Sequence, residues 1–300
     1  MKWSVLVEVI ELKAKVASIF PCLLGTLFSY YYYQSIHLNL LFIFFIAMIL
    51  FNTGVDVLSN YSDFHKASLD HDYKYETNVI GRENISLRKI FVFQWTIITV
   101  SACMGLYVAS QTGWPLLIMG LYCYTVGIFY SSGPKPISSM PLGEIFSGFT
   151  MGFMIPLISV YINTYEKFSW SIDTISAIFV LSLVYICFIA NIMLANNICD
   201  LEEDRINRRF TLVHYIGRDR AKKLFVLLIA IAYVGITMSV IMRWAPLLCL
   251  GTLFLIPFSF KKAKGFIEHP VKTETFVHSV QIFTLNAFLL TILYTIGVFI

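Results

Sequence analysis

Seven stretches of this chain contain no Asp, Glu, Lys or Arg: 16–55, 90–134, 145–165, 174–199, 224–242, 244–260 and 275–300. An α-helix needs roughly 20 apolar residues to cross a bilayer, so each run holds one or two crossings. Polar breaks at 34–39 and 111–115 divide the two longest runs. The result is nine predicted helices, at 16–35, 38–58, 90–110, 114–131, 143–163, 173–195, 224–242, 244–260 and 277–299. The segment 261–276 carries Lys261, Lys262, Lys264 and Lys272 and reads as a loop. Only 13% of the residues are charged and 58% are hydrophobic, whereas a water-facing domain has about 25% charged residues. Disorder requires low hydrophobicity, and nucleic-acid binding requires a basic face rather than a scattered net charge of +4. The chain therefore reads as an all-α, polytopic membrane bundle forming one domain over residues 1–300, and as an enzyme, transporter or channel.

Orientation follows from the basic residues, because cytoplasmic flanks hold an excess of Lys and Arg. Of 22 such residues, all but Lys167 and Arg243 fall on one side of the predicted spans. The amino terminus is thus expected in the cytoplasm, and no small-residue cleavage site marks a removable signal. All acidic residues except Glu166 and Asp173 share that side, although carboxylates contribute little to orientation. Long, charge-rich loops on that face are where function is expected. The six cysteines form no C-x-x-C pair and the six histidines do not cluster, so both sets read as packing or solvated residues.

Two acidic helix ends stand out. Asn52, Asp56, Asn60 and Asp63 lie at steps of four, four and three at the end of the second span. Asn197, Asp200 and Asp204, at steps of three and four, close the sixth. Each set occupies one helical face. Carboxylates at the membrane border are costly and usually pair with a cation. Solvated loop charges would explain one such cluster; two with the same periodicity on the same side favour a hard divalent ion. Magnesium suits them, because it takes one or two carboxylates together with waters and a substrate phosphate. Basic neighbours follow both clusters: Lys66 and Arg82 the first, Arg205, Arg208 and Arg209 the second. Metal and basic residues together could clamp a diphosphate and neutralise its leaving-group charge.

The segment from Asn196 to Leu212, with Asn197, Asp200, Asp204, Asn207, Arg209 and Thr211 and then Gly217, resembles the second aspartate motif of the UbiA superfamily of intramembrane prenyltransferases. Its wording is similar to the menaquinone branch, the 1,4-dihydroxy-2-naphthoate prenyltransferases. Tyr130 to Pro136, Leu142-Gly143-Glu144, and Pro21 with Gly25 resemble further segments of that branch. The first motif departs from the pattern. It aligns either as Asp56, Asn60 and Asp63, with the usual Asn and Asp exchanged, or as Asn52, Asp56 and Asn60 with a last Asp lost. Arg208 stands where a glycine is usual, and Glu203 is an added acid.

The resemblance implies a nine-helix UbiA-like fold, with magnesium and the diphosphate at the cytoplasmic end and the prenyl tail in an apolar groove open to membrane lipid. It also implies an activity. Ionisation of a long-chain prenyl diphosphate leaves an allylic cation. Dihydroxynaphthoate attacks it at the carbon bearing the carboxylate, with loss of diphosphate and carbon dioxide, to give demethylmenaquinone. The implied metal ligands are Asp56, Asp63, Asp200 and Asp204, and the diphosphate contacts are Asn60, Lys66, Arg82, Asn197 and Arg209. Asp63, Asp200, Asp204 and Tyr130 would be catalytic, and the protein would lie in the cell membrane. Other acceptors, such as 4-hydroxybenzoate, homogentisate, haem or a glyceryl phosphate, stay open, as does a transporter. A CDP-alcohol phosphotransferase would need a D-G-x-x-A-R signature that the chain lacks.

Overall fold

The computed structural model describes residues 3–66, 75 and 78–300, with side chains from residue 5 onward except that of Lys66. Among the described residues all regular structure is helical. The α-helices are α1 (Trp3–Val9), α2 (Val16–Tyr33), α3 (Leu38–Lys66), α4 (Val79–Arg82), α5 (Leu87–Thr112), α6 (Trp114–Ser131), α7 (Gly143–Phe149), α8 (Ile155–Thr164), α9 (Ile172–Cys199), α10 (Leu201–Ile206), α11 (Leu212–Ile216), α12 (Arg218–Ile241), α13 (Ile256–Glu268) and α14 (Val277–Phe299). Eight helical stretches are long and apolar enough to cross a membrane: Leu12–Tyr33, Leu38–His65, Leu87–Thr112, Trp114–Ser131, Gly143–Thr164, Ile172–Cys199, Arg218–Ile241 and Val277–Phe299. Each coincides with a span read from the charge-free runs.

The remaining expected span, 244–260, takes a different form. A 3-10 helix over Leu247–Leu255 runs directly into α13. At about 2.0 Å per residue, that 3-10 stretch alone covers about 18 Å. The expectation of a loop from residue 261 is corrected here, because α13 carries Lys261, Lys262 and Lys264 on to Glu268. Ser259, Ala263 and Phe266 are buried at steps of four and three, so one face stays anchored while Lys261 and Lys264 are exposed and Lys262 lies half-buried at its edge. The helix ends at His269 (φ −135°, ψ 81°), the residue before Pro270, where the proline ring disfavours helical backbone.

The chain divides into two compact units, residues 1–18 with 39–136 and residues 19–38 with 137–300. In the first, Gly113 (φ 100°) ends α5 and Pro115 opens α6, the usual division of labour between glycine after a helix and proline at its first turn. Val5 and Val9 of α1, Val57 of α3, Val79 and Ile80 of α4 and Ile90 of α5 form a buried cluster. That cluster fixes the amino-terminal segment against the charged end of α3.

In the second unit the two most enclosed spans are Gly143–Thr164 and α9. The first is α7, a π turn over Thr150–Met154, and α8 in one continuous run. Glu144, Gly148 and Gly152 recur every four residues. A Cβ on Gly148 would lie 2.7 Å from the Ile186 carbonyl oxygen, and one on Gly152 2.4 Å from the Ile186 nitrogen. Small residues at this spacing let two membrane helices meet backbone to backbone. Elsewhere in this unit, Tyr233 of α12, Ser259 of α13 and Asn286 of α14 bond to one another at 2.8–3.0 Å. They satisfy polar groups that a bilayer could not.

Candidate functional site at two acidic helix ends

The first motif lies on the last turns of α3, in the first unit. Lys15, at the end of the 3-10 turn Leu12–Lys15 that leads into α2, is buried despite its charge. Its ammonium donates to Asn52 Oδ1 at 2.6 Å and to the Asp56 carboxylate in a short ion pair. Asn52 is oriented for this, because its Nδ2 donates to Ser18 Oγ at 3.0 Å and Ser18 Oγ donates to the Lys15 carbonyl at 3.3 Å. Asn60 donates from Nδ2 to the carbonyls of Val9 (3.3 Å) and Asp56 (3.2 Å), and its own carbonyl accepts from Asn78 Nδ2 at 3.0 Å. Asp63 is half-buried one turn further on.

The basic residues expected beside this motif divide. Arg82 is engaged by Glu8 of α1 at 2.7 Å and by Glu83 at 3.6 Å. Lys66 ends α3, and its side chain lies outside the described residues. Tyr130 sits half-buried in the last turn of α6.

The second motif, in the second unit, is built where α9 stops and α10 begins. Asp200 is at once the C-cap of α9 and the N-cap of α10. Asn197 is buried and donates from Nδ2 to Glu144 Oε1 at 2.8 Å. Asp204 is also buried. One of its oxygens faces Arg209 Nε at 3.2 Å, and its Oδ2 is enclosed with no hydrogen-bond partner among the described residues. The Arg209 guanidinium also donates to the Ser138 carbonyl at 3.4 Å. Burial pushes the Asp204 carboxyl up to about 6, against the opposing pull of Arg209, with Asp200 adding to the rise. Lys272, from the segment after α13, pairs with Asp200 in a short contact. Arg208 has φ 54°, left-handed backbone that favours glycine, and it is the residue that replaces the usual glycine of the resembled motif.

The second motif therefore brings Asn197, Asp200, Asp204 and Arg209 together, and Asp204 offers a buried oxygen without a partner. An oxygen donor set of this kind suits a hard divalent cation. Among the described residues no group of three His, Cys, Asp or Glu side chains is placed to hold a metal ion, so an ion at this motif would have to take most of its shell from water and a phosphate. The first motif fits a metal less well, because the Asn52 and Asp56 oxygens already hold an ammonium. Lys15, Lys272 and the Glu144 support of Asn197 were not singled out from the sequence. Lys15 is 37 and 41 residues from its partners and Lys272 is 72 from Asp200, so no local spacing signals them.

The chain is similar to several known proteins. A 1,4-dihydroxy-2-naphthoate octaprenyltransferase of Bacillus subtilis (strain 168) is 27% identical over 279 residues, 92% of this chain and 87% of that protein. One of the same name from Mycobacterium leprae (strain TN) is 22% identical over 192 residues, 64% of this chain and 63% of that protein. Among solved structures, a UbiA homolog from Aeropyrum pernix K1 superposes with a TM-score of 0.72 at 16% identity, covering 97% of this chain and 98% of that one. A UbiA homolog from Archaeoglobus fulgidus bound to DMAPP and Mg2+ gives 0.65 at 12% identity, covering 97% and 99%. The UbiA prenyltransferase family model matches residues 18–284, a stretch that takes in both acidic motifs and seven of the eight long apolar helices in full or in large part, and the chain belongs to that family.

Proposed function

We propose that this multi-pass membrane protein transfers a long-chain prenyl group from its diphosphate to 1,4-dihydroxy-2-naphthoate. The likeness to the Bacillus subtilis protein along nearly the whole chain carries this reading. Diphosphate and carbon dioxide leave, the new carbon–carbon bond forms at the carbon that bore the carboxylate, and no oxidant takes part. The ring is therefore released at the quinol level of demethylmenaquinone.

Magnesium, which the Asp200 and Asp204 carboxylates would hold, would neutralise the diphosphate and make it a better leaving group. The protein's own residues prepare that position. Glu144 fixes the Asn197 amide, Arg209 fixes one face of Asp204, and the free Asp204 oxygen is held ready by enclosure. Lys272 lies on the exposed side of Asp200 and is placed to follow the incoming charge onto a phosphate oxygen. Asp63, Asn60, Lys66 and Tyr130 are assigned to substrate at the first motif and the neighbouring α6 end, whereas Arg82 serves chiefly to hold α1 through Glu8. The bias of Lys and Arg to one side supports a cytoplasmic position for both motifs in the cell membrane.

Membranes containing the protein should form prenylated naphthoquinol only when magnesium, a long prenyl diphosphate and dihydroxynaphthoate are all supplied. Asp200→Ala should lose that activity. Full activity in Asp200→Ala, or product formation from 4-hydroxybenzoate in preference to naphthoate, would overturn the assignment.

A further inference from the structure

The two acidic motifs hold their lysines differently. Lys272 keeps 53% of its side chain exposed and reaches Asp200 from outside the helical core. Asp200 itself is 13% exposed, but the lysine end of this pair is open to water, and an ammonium that keeps its hydration gains less from pairing than an enclosed one. The Lys15 side chain is only 4% exposed. It is gripped by Asn52 and Asp56 together, and the Asn52 amide is turned toward it by Ser18, which in turn bonds back to the Lys15 carbonyl. That is a closed ring of contacts around one ammonium. A buried charge so satisfied is costly to remove, because its partner would be left uncompensated. Asn52 Oδ1 and Asp56 Oδ2, two of the oxygens this motif could offer a divalent ion, are both engaged by that ammonium.

We propose that Lys15 is the resident cation of the first motif, holding by a fixed ammonium the position between Asn52 and Asp56 that a metal ion would otherwise take. Asp56 is then a lysine partner and not a metal ligand, and divalent metal enters at the second motif, where Lys272 is displaceable and Asp204 has an unpartnered oxygen. The idea rests on the prenyltransferase reading only in supposing that a metal is used at all. It also gives the altered first motif a physical sense. With Lys15 in place, one carboxylate at this position is neutralised without a metal, so a full set of acidic ligands is not required there.

The test counts bound Mn2+ on the full-length purified protein by equilibrium dialysis, with the metal alone and no diphosphate present. Asp56→Asn, which keeps an oxygen for Lys15, should leave the Mn2+ count of the wild type unchanged, whereas Asp200→Asn should lower it. Lys15→Met should gain one additional Mn2+ per chain, and that gain should vanish in the Lys15→Met/Asp56→Asn double variant. A drop in Mn2+ count in Asp56→Asn alone, or no gain in Lys15→Met, would overturn the proposal. If Lys15→Met does not fold, the Asp56→Asn comparison decides the matter. Failure of the proposed function reads differently: normal Mn2+ binding at the second motif with no prenylated product would remove that function and leave the Lys15 result standing.

Discussion

Gly152→Ala tests how the fold supports the second motif. The added Cβ would lie 2.4 Å from the Ile186 nitrogen, 2.6 Å from its Cα and 2.7 Å from the Tyr185 carbonyl carbon. All three are backbone atoms of α9, so no side-chain rotation relieves the overlap. Restoring ordinary contact requires the helices to part by about 1 Å, and overpacking of this kind costs about 1–3 kcal/mol, with the upper end expected against rigid backbone. Gly105→Ala is the matched control: its Cβ would meet nothing within 4 Å, and replacing a helix-interior glycine there should gain up to about 1 kcal/mol. Thermal unfolding in detergent should therefore separate the two variants by about 1–4 kcal/mol. The strain also reaches function. Glu144 lies two steps of four from Gly152 on the same face and holds Asn197 at 2.8 Å. A 1 Å misplacement can lower turnover about a hundredfold, so product formation by Gly152→Ala should fall more than tenfold while Gly105→Ala stays active. Equal stability and activity in the two variants would refute the close-packing argument.

Other consequences can be measured separately. Arg208→Gly removes a side chain from left-handed backbone and should stabilise the protein by about 1 kcal/mol in the same unfolding assay. Glu144→Leu leaves the buried Asn197 amide without its acceptor and should cost about 1–3 kcal/mol, whereas Glu144→Gln, which keeps an oxygen, should cost less. Asp204 has its carboxyl raised by burial to about 6 in the metal-free protein, so it gains a proton as pH falls through that value, and a protonated carboxyl is a poor metal ligand. Mn2+ affinity should therefore weaken between pH 7.5 and 5.5 by calorimetry, and Asp204→Asn should flatten that dependence.

The fold was largely legible because the bilayer imposes one simple rule, that a crossing helix excludes charge for about 20 residues. The rule located eight helices and failed where structure depends on something other than charge. The lysine-bearing turns of α13 continue the helix because Ser259, Ala263 and Phe266 keep one face buried, a periodicity that charge counting passes over. The site was half legible. Asn197, Asp200 and Asp204 follow helical spacing, which singles them out as candidates. Lys15 and Lys272 reach their carboxylates across long separations in the chain, and in the sequence they look like ordinary cytoplasmic flanking charges. Arg82 is the reverse case: it follows the first motif in sequence, and its ion pair with Glu8 of α1 has no local spacing to signal it. The glycine exchanged for Arg208 was visible as a departure, while its backbone consequence emerges only from the φ angle.

The central claim is prenyl transfer to a naphthoate ring at the carbon bearing its carboxylate. Dihydroxynaphthoate labelled with 13C in the carboxyl group, supplied with a long prenyl diphosphate and magnesium to the protein in lipid vesicles, tests it directly by mass spectrometry. The account predicts an unlabelled prenylated naphthoquinol, with labelled carbon dioxide released in equal amount. Label retained in the prenylated product, or dihydroxynaphthoate left unconsumed while another aromatic acid is prenylated, would contradict it.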